Sequence, residues 1–441
     1  MDAETNRRAG GAVLTDDELL DETQRLSFEY FVKEANPANG LIADRNREGS
    51  PASIAATGMA LSAYPIAVER GLMSRQAAVR RTLATLRFFR DAAHGPEADA
   101  TGYKGFYYHF LDMQTGRRVW KCELSTVDTA LLLAGALVAG AYFAEDDEQE
   151  AEIRQVSDLL YRRADWRWAQ NGNALVTHGW RPERGFLRYH WLGYDEALIL
   201  YVLGLGSPTH PLPPESYAAW LSGYAWKTIY GHRLVQAGPL FIHQFSHLWI
   251  DFRGIRDAFM CRHQSDYFEN SRTATYIQRE YAIRNPRGFA GYHKDCWGIT
   301  ASDGPGPDRH RIDGRERRFF NYLARGVPYG PDDGTLSPWT AVASLPFAPE
   351  IVLPTLRHFH ILDLKNGNPY GFTSSFNPTF GEPAGNAPGW VSPDHVGINQ
   401  GPITLMIENH RTDFLWRLMR ACPYIVTGLR RADFTGGWLE G

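Results

Sequence analysis

Thr126-Val-Asp-Thr-Ala-Leu-Leu-Leu-Ala-Gly-Ala-Leu-Val-Ala-Gly-Ala-Tyr142 is the stretch on which the fold turns. It predicts a helix that is apolar on nearly every side, and such a helix has no face for water and must be covered all round. It is too short, and its Ala and Gly side chains too small, for a membrane span, and it carries Asp128. It therefore reads as a buried core helix of a larger helical protein.

Its neighbours are of two kinds. Glu148–Gln170 is amphipathic, with Arg162, Arg163 and Arg167 on the wet side. Upstream, Thr15-Asp-Asp-Glu18 is a capped, acidic helix start. A second helix is expected from Ser53 to Arg70, ending at Gly71, and a third from Ser74, with Val79, Leu83, Leu86 and Phe89 on one face. Downstream, helices are expected over Tyr194–Leu205, Ser216–Tyr230, His243–Phe259, Tyr267–Arg284, Thr340–Phe347, Pro349–Phe359 and Gln400–Arg420. Few segments alternate with period 2. Wholly apolar helices alternating with half-wet ones predict two concentric rings, an all-α chain folded as a single (α/α)6 barrel. No repeated unit supports the open-solenoid alternative. No Ser, Gly or Pro linker divides the chain, so a flexible N-terminus, 1–14, is expected to precede one domain, 15–441. The connections Gly102–Trp120, Asn171–Trp191, Asn285–Pro331 and Tyr370–Gly401 are long and rich in Gly, Pro and aromatics, and are expected to form a substrate groove at one end.

Composition narrows the function. The 441 residues are 44% hydrophobic and 22% charged with a net charge of -4, which fits a folded protein with no nucleic-acid or membrane partner. The 13 Trp, 21 Tyr and 23 Phe often sit beside Gly, Asp, Asn or His, company in which rings can stack on sugars. The four cysteines are far apart, fit no zinc spacing and are expected to be free, mostly buried thiols. Met1–Val13 lacks an apolar signal region, pointing to the cytoplasm, or to the periplasm or secretion where a signal has been removed.

Three clusters could carry chemistry. In Trp191-Leu-Gly-Tyr194-Asp195-Glu196, Asp195 suits a helix start, whereas Glu196 precedes an apolar run beside Trp191 and Tyr194. Aromatic walls disfavour a charged carboxyl, raise its pKa and suit it to general-acid work. In Trp120-Lys-Cys-Glu123-Leu-Ser-Thr-Val-Asp128, Asp128 enters the most apolar helix and must be paired, hydrogen-bonded or chemically used. In His243-Gln244-Phe-Ser-His247-Leu-Trp-Ile-Asp251-Phe-Arg253, the histidines share a helix face, but no zincin Glu or third ligand accompanies them, so a polar network binding hydroxyls is the better reading. Arg272, Tyr292, Trp297, Asp303, Asn377, Asp394 and Asn399 lie in further polar-aromatic clusters. Several carboxylates among aromatics, with no nucleophile elbow, P-loop or dinucleotide fingerprint and no cofactor motif, suggest glycoside chemistry with no cofactor implied.

The strings Leu203-Gly-Leu-Gly-Ser-Pro-Thr-His210, Gly238-Pro-Leu-Phe, His243 to Arg253, Trp297-Gly-Ile-Thr-Ala-Ser-Asp-Gly-Pro305 and Gly397-Ile-Asn-Gln-Gly-Pro resemble the glucoamylase-like family. That family includes bacterial endo-β-1,2-glucanases and the transglycosylation domain of cyclic β-1,2-glucan synthases. The resemblance runs from about Leu20 to Leu418. It implies an (α/α)6 barrel acting on β-1,2-glucan or sophoro-oligosaccharides by an inverting, metal-free mechanism. It implies Glu196 as general acid and implicates Asp128 and Glu123. The family pattern has Asp where this chain has Asn399, which leaves the base unassigned, with Asp394 a candidate. A transglycosylase, a hydrolase of another glucan linkage, and a non-catalytic glucan-binding protein are the competing readings.

Overall fold

Helix capping sets the first half of the architecture. The computed structural model describes residues 14–365, 367–382 and 388–440; the expected flexible start, apart from Leu14, lies outside them. Thr15 opens α1 (Asp16–Lys33) with a reciprocal box: the Glu18 N–H donates to Thr15 Oγ1 at 3.2 Å and the Thr15 N–H to Glu18 Oε2 at 2.8 Å. Ser53, Ser74, Ser125 and Asp147 cap α2 (Ile54–Glu69), α3 (Arg75–Asp91), α4 (Thr126–Tyr142) and α5 (Glu148–Arg163). There follow α6 (Trp166–Ala169), α7 (Leu198–Gly206), α8 (Pro214–Leu221), α9 (Ala258–His263), α10 (Tyr267–Arg284), α11 (Pro338–Ala343), α12 (Pro349–Ile361), α13 (Gly397–Thr412), α14 (Phe414–Arg420) and α15 (Pro423–Arg431).

The helices sort as their composition requires. The α2, α4, α7 and α13 helices are buried over nearly their whole length, whereas α3 and α5 bury one face. The α2 helix packs on α4 and α13, α4 also on α7, and α13 also on α11, so the buried helices form one continuous series of neighbours. The amphipathic ones lie outside: α3 and α5 against each other and against α2 and α4 respectively, α1 against α13, α15 against α7 and α12 against α11. The α2–α4 crossing is a backbone contact. A Cβ on Gly135 would come within 1.9 Å of the Gly58 carbonyl oxygen, and one on Gly58 within 2.5 Å of the Leu131 oxygen. Only glycine allows that approach.

Several expected helices are shorter. Glu148–Gln170 breaks after Arg163, where the Asp165 N–H turns to the Lys104 carbonyl (2.9 Å) and the Asp165 carboxylate caps α6. Ser216–Tyr230 ends at Leu221; Gly223 then packs on Gly193, and Trp226–Ile229 pairs with His232–Val235 as a hairpin. His243–Phe259 is not α-helical before Ala258, where α9 begins. It forms two 3-10 turns, Leu240–His243 and Phe245–Leu248, because its side chains bond outward to other segments, Ser246 Oγ for example accepting the Ile199 N–H at 3.1 Å. Gln400–Arg420 is split by Asp413, which is left-handed (φ 56°) and paired with Arg253. Short strands outnumber the expectation. Five of them (Gly102–Tyr103, Phe106–Tyr108, Leu124–Ser125, Gly179–Arg181, Gly185–Phe186) make one antiparallel sheet that leads into the start of α4. The cysteines are free, with Cys261 exposed and the others buried. Among the described residues no helix is long and apolar enough to cross a membrane.

Candidate active site

The sheet delivers the chain to α4 so that Ser125 and Asp128 meet. Ser125 Oγ accepts the Asp128 N–H at 3.2 Å and donates to Asp128 Oδ2 at 2.5 Å, which holds the carboxyl in the first helical turn, where the helix dipole favours negative charge. His109, which separates the strands Phe106–Tyr108 and Phe110–Leu111, joins two acids: Nδ1 is 3.0 Å from Glu123 Oε1 and Nε2 is 3.6 Å from Asp128 Oδ2. Burial by itself would lower the His109 pKa, but Asp128, Glu123 and Asp44 outweigh it and raise it to about 9. The imidazolium in turn holds Glu123 down to about 2, with Arg181 assisting at 3.3 Å.

Opposite them the chain turns into α7. The Asp195 carboxylate accepts the Ala197 N–H (3.0 Å) and the Trp220 indole N–H (3.1 Å) and so fastens the start of that helix. Burial pushes Asp195 to about 7. Glu196 is half-buried and opens into a cavity of about 430 Å³, within the range of small-ligand sites. Burial, then Asp195 and Asp128, push its carboxyl to about 8; apart from its own backbone N–H, nothing offsets them. One carboxyl held protonated at neutral pH thus shares the cavity with another held in a hydrogen-bonded, dipole-stabilised turn.

The cavity wall also carries Asp44, Arg45, Asp303, Tyr322, Trp339 and Asn399. Arg45 ties loops that are distant in the chain. It pairs with Asp303, with Asp394 at 3.1 Å and with Asp44 at 3.3 Å. Burial raises the Asp44 pKa, with Arg45 and His109 opposing and Asp303 adding to it. The Trp339 indole N–H is buried without a partner among the described residues. A second cavity of about 490 Å³, between α4, α5, α14 and α15, has a single acid, Asp158, which is held by Arg162 and Tyr424.

Of the residues singled out from sequence, Glu196, Asp128, Asp303 and Asn399 meet at the cavity. Glu123 stands behind His109. Asp394 is turned away from the cavity and clamped between Arg45 and Arg47, an arrangement unsuited to a base. Trp120 is 68% exposed, lines an adjoining depression and packs on Phe110 with ring centres 5.3 Å apart.

The others bond to protein instead. Trp191 donates to Thr126 Oγ1 (3.0 Å) and stacks on His178, and Tyr194 packs among Tyr224, His243 and Tyr267. The rings that share the cavity with Glu196 are instead Phe110, Phe241, Phe245, Tyr322 and Trp339. His243 accepts the Ala237 N–H at 3.2 Å, His247 meets Ser271 at 3.0 Å, and Gln244 bonds Thr340 and Ser344. Asp251 is wholly enclosed between Arg253 and Arg420. Arg272 pairs with Glu350, Tyr292 donates to Asp332, Asn377 braces the Asp333–Thr335 turn, and Trp297 is fully buried. These groups hold the scaffold, although His247 Nδ1 and the Trp297 indole N–H are buried without a partner among the described residues. Asp44, Arg45, His109, Tyr322 and Trp339 were missed; only His109 and Tyr322, inside the connections Gly102–Trp120 and Asn285–Pro331, stood where a sequence signal existed.

A helical scaffold with a carboxyl held protonated beside further acids in an aromatic-lined cleft is the arrangement of glycoside-cleaving proteins. Residues 188–423 match the Glycoamylase family model, described as "Putative glucoamylase", and the chain belongs to that family. It is 31% identical over 458 residues to an exo β-1,2-glucooligosaccharide sophorohydrolase (non-reducing end) of Parabacteroides distasonis, covering 95% of this chain; it spans 58% of that relative's length. The crystal structure of a "putative glucoamylase" from Bacteroides uniformis is similar at TM-score 0.85 and 32% identity, covering 97% of this chain and 100% of that one. The endo-β-1,2-glucanase of Chitinophaga pinensis, solved with sophorotriose and glucose, is similar at TM-score 0.83 and 28% identity, with coverage of 97% and 100%.

Proposed function

We propose that this chain hydrolyses β-1,2-linked glucan or its oligosaccharides on an (α/α)6 scaffold, with inversion at the anomeric carbon. The observation that carries the reading is the Glu196 carboxyl, kept protonated to about pH 8 at the wall of a cleft opposite Asp128. Glu196 donates its proton to the glycosidic oxygen as the bond to the leaving sugar breaks. Asp128 directs the attacking water, either itself or through a substrate hydroxyl. His109 fixes Asp128 from behind, and Glu123 acts through His109, so both are positioning residues. Asn399, Asp303 and the Trp339 N–H bind sugar hydroxyls, and Tyr322 and Phe110 offer ring faces. The scaffold reading rests on the buried series α2, α4, α7, α11 and α13, with the turns at Phe245–Leu248 between α7 and α13, backed by an outer layer. The substrate reading rests on what the relatives in Parabacteroides distasonis and Chitinophaga pinensis are named for.

Turnover of linear β-1,2-glucan by Glu196→Gln tests the acid. General-acid catalysis is worth roughly 10²–10⁴-fold, so the variant should lose at least two orders of magnitude while still binding oligosaccharide. Retention of more than about a tenth of wild-type turnover would remove Glu196 from the role.

A further inference from the structure

Away from the cleft, on the outer side of the fold, a second constellation is unused by this chemistry. His293 and Cys296 close a tight turn, His293-Lys-Asp-Cys296, in which the Cys296 N–H donates to the His293 carbonyl at 3.0 Å. His358 approaches from the last turn of α12, its ring centre 4.6 Å from that of His293 at an interplanar angle of 78°. One ligand atom from each of His293, Cys296 and His358 lies within 4.8 Å of the other two. A two-residue spacer between ligands on a turn, completed by a histidine from a distant helix, is the layout of tetrahedral nitrogen–sulfur metal sites.

We propose that His293, Cys296 and His358 bind a thiophilic divalent cation of the zinc type. The donor set is borderline-soft, which disfavours calcium and magnesium and suits Zn²⁺ or Co²⁺. The Asp295 N–H donates to His293 Nδ1 at 3.2 Å; ligation through either ring nitrogen exchanges this bond for the metal bond, because Nε2 ligates only when the proton sits on Nδ1. Cys296 ligates as thiolate, so each ion bound displaces one thiol proton to solvent, and the bound ion leaves the three-ligand set with one positive charge. Asp295, which acts electrostatically on all three ligands, or water completes the fourth position.

The position gives the ion a task. The turn is also held by α10, where Arg279 Nε donates to the Lys294 carbonyl at 2.9 Å. Beyond Cys296 the chain runs through Trp297 and Ile299, the latter bonded both ways to Gln278, to Ala301, Ser302 and Asp303 on the cavity wall. A cation joining this segment to α12 would staple the outer helix to the strand of chain that supplies Asp303.

Equilibrium dialysis of untagged, chelator-treated full-length protein against Zn²⁺ tests this without reference to catalysis. One equivalent should bind, with a higher unfolding temperature and release of a proton. His358→Gln, at a half-exposed position, should stay folded by circular dichroism and bind at least roughly tenfold more weakly. Co²⁺ should give a thiolate-to-metal charge-transfer band that Cys296→Ser abolishes. Absence of stoichiometric Zn²⁺ binding, or binding that folded His358→Gln leaves unchanged, would overturn the site; substoichiometric binding indifferent to all three residues would mark an adventitious ion only.

Discussion

Replacing Glu196 by Gln should make the protein more stable while stopping catalysis, and the gain should depend on pH in a set way. Unfolded, the carboxyl gives up its proton near its ordinary value of 4.5; folded, it keeps it to about 8. Between those values the native state holds a proton that the unfolded chain has released, so stability falls as pH rises. Below about 4.5 the contribution is whole, and by about 8 it is gone. At pH 7 the difference amounts to about 3 kcal/mol. Gln is nearly isosteric and neutral throughout, so it escapes this loss. With an unfolding entropy of about 2.1 cal/mol/K per residue, a chain of 441 residues should gain about 3–4 °C in Tm at pH 7. Calorimetry of both proteins at pH 4.5 and at pH 7–8 measures it. The variants should coincide at the lower pH and diverge at the higher. A difference that is independent of pH, or a less stable variant at pH 8, would show that burial does not hold Glu196 protonated.

Three further outcomes follow from the same contacts. Asp128→Asn should lower kcat by roughly 10²-fold or more with little change in KM, measured as reducing sugar released from sophoro-oligosaccharides, because the lost group acts after binding. His109 has the opposite stability signature to Glu196: its folded pKa is raised to about 9, so its contribution, up to about 3 kcal/mol, is present below its unfolded value of 6.5 and lost as pH climbs through 9. Urea unfolding of His109→Gln should thus show a deficit at pH 6 that closes by pH 10. Gly135→Ala should destabilise by at least about 2 kcal/mol, since its Cβ would meet the Gly58 backbone and not a movable side chain; an unchanged urea midpoint would mean that the α2–α4 crossing is looser than described.

What could be read before folding was whatever local chemistry dictates. Thr126–Tyr142 has no polar face, so its burial follows from its residues alone, and Ser53, Ser74 and Thr15 cap where a capping side chain precedes a helical pattern. Glu196 was legible because an acid stands directly ahead of an apolar run, although the walls that raise its pKa come from other segments. His243 to Phe259 misled for the converse reason. Its i, i+4 histidines imitate a helix, but Gln244 and Ser246 bond segments elsewhere, and those tertiary bonds outweigh local periodicity. Arg45 could not have been found: it meets Asp303 across 258 residues and Asp394 across 349, and no spacing records such an encounter. The polar residues of His243–Arg253 looked like a ligand network because a satisfied core network and a binding site use the same residue types, and only partners tell them apart.

The central claim is tested most directly by proton NMR of the sugars released when the wild-type protein meets linear β-1,2-glucan, with starch, laminarin and cellulose as controls. The account predicts sophorose or longer β-1,2 oligosaccharides from that polymer alone, appearing first as the α-anomer. Products from another polymer, first-formed β-anomer, or no product from any of them would contradict it.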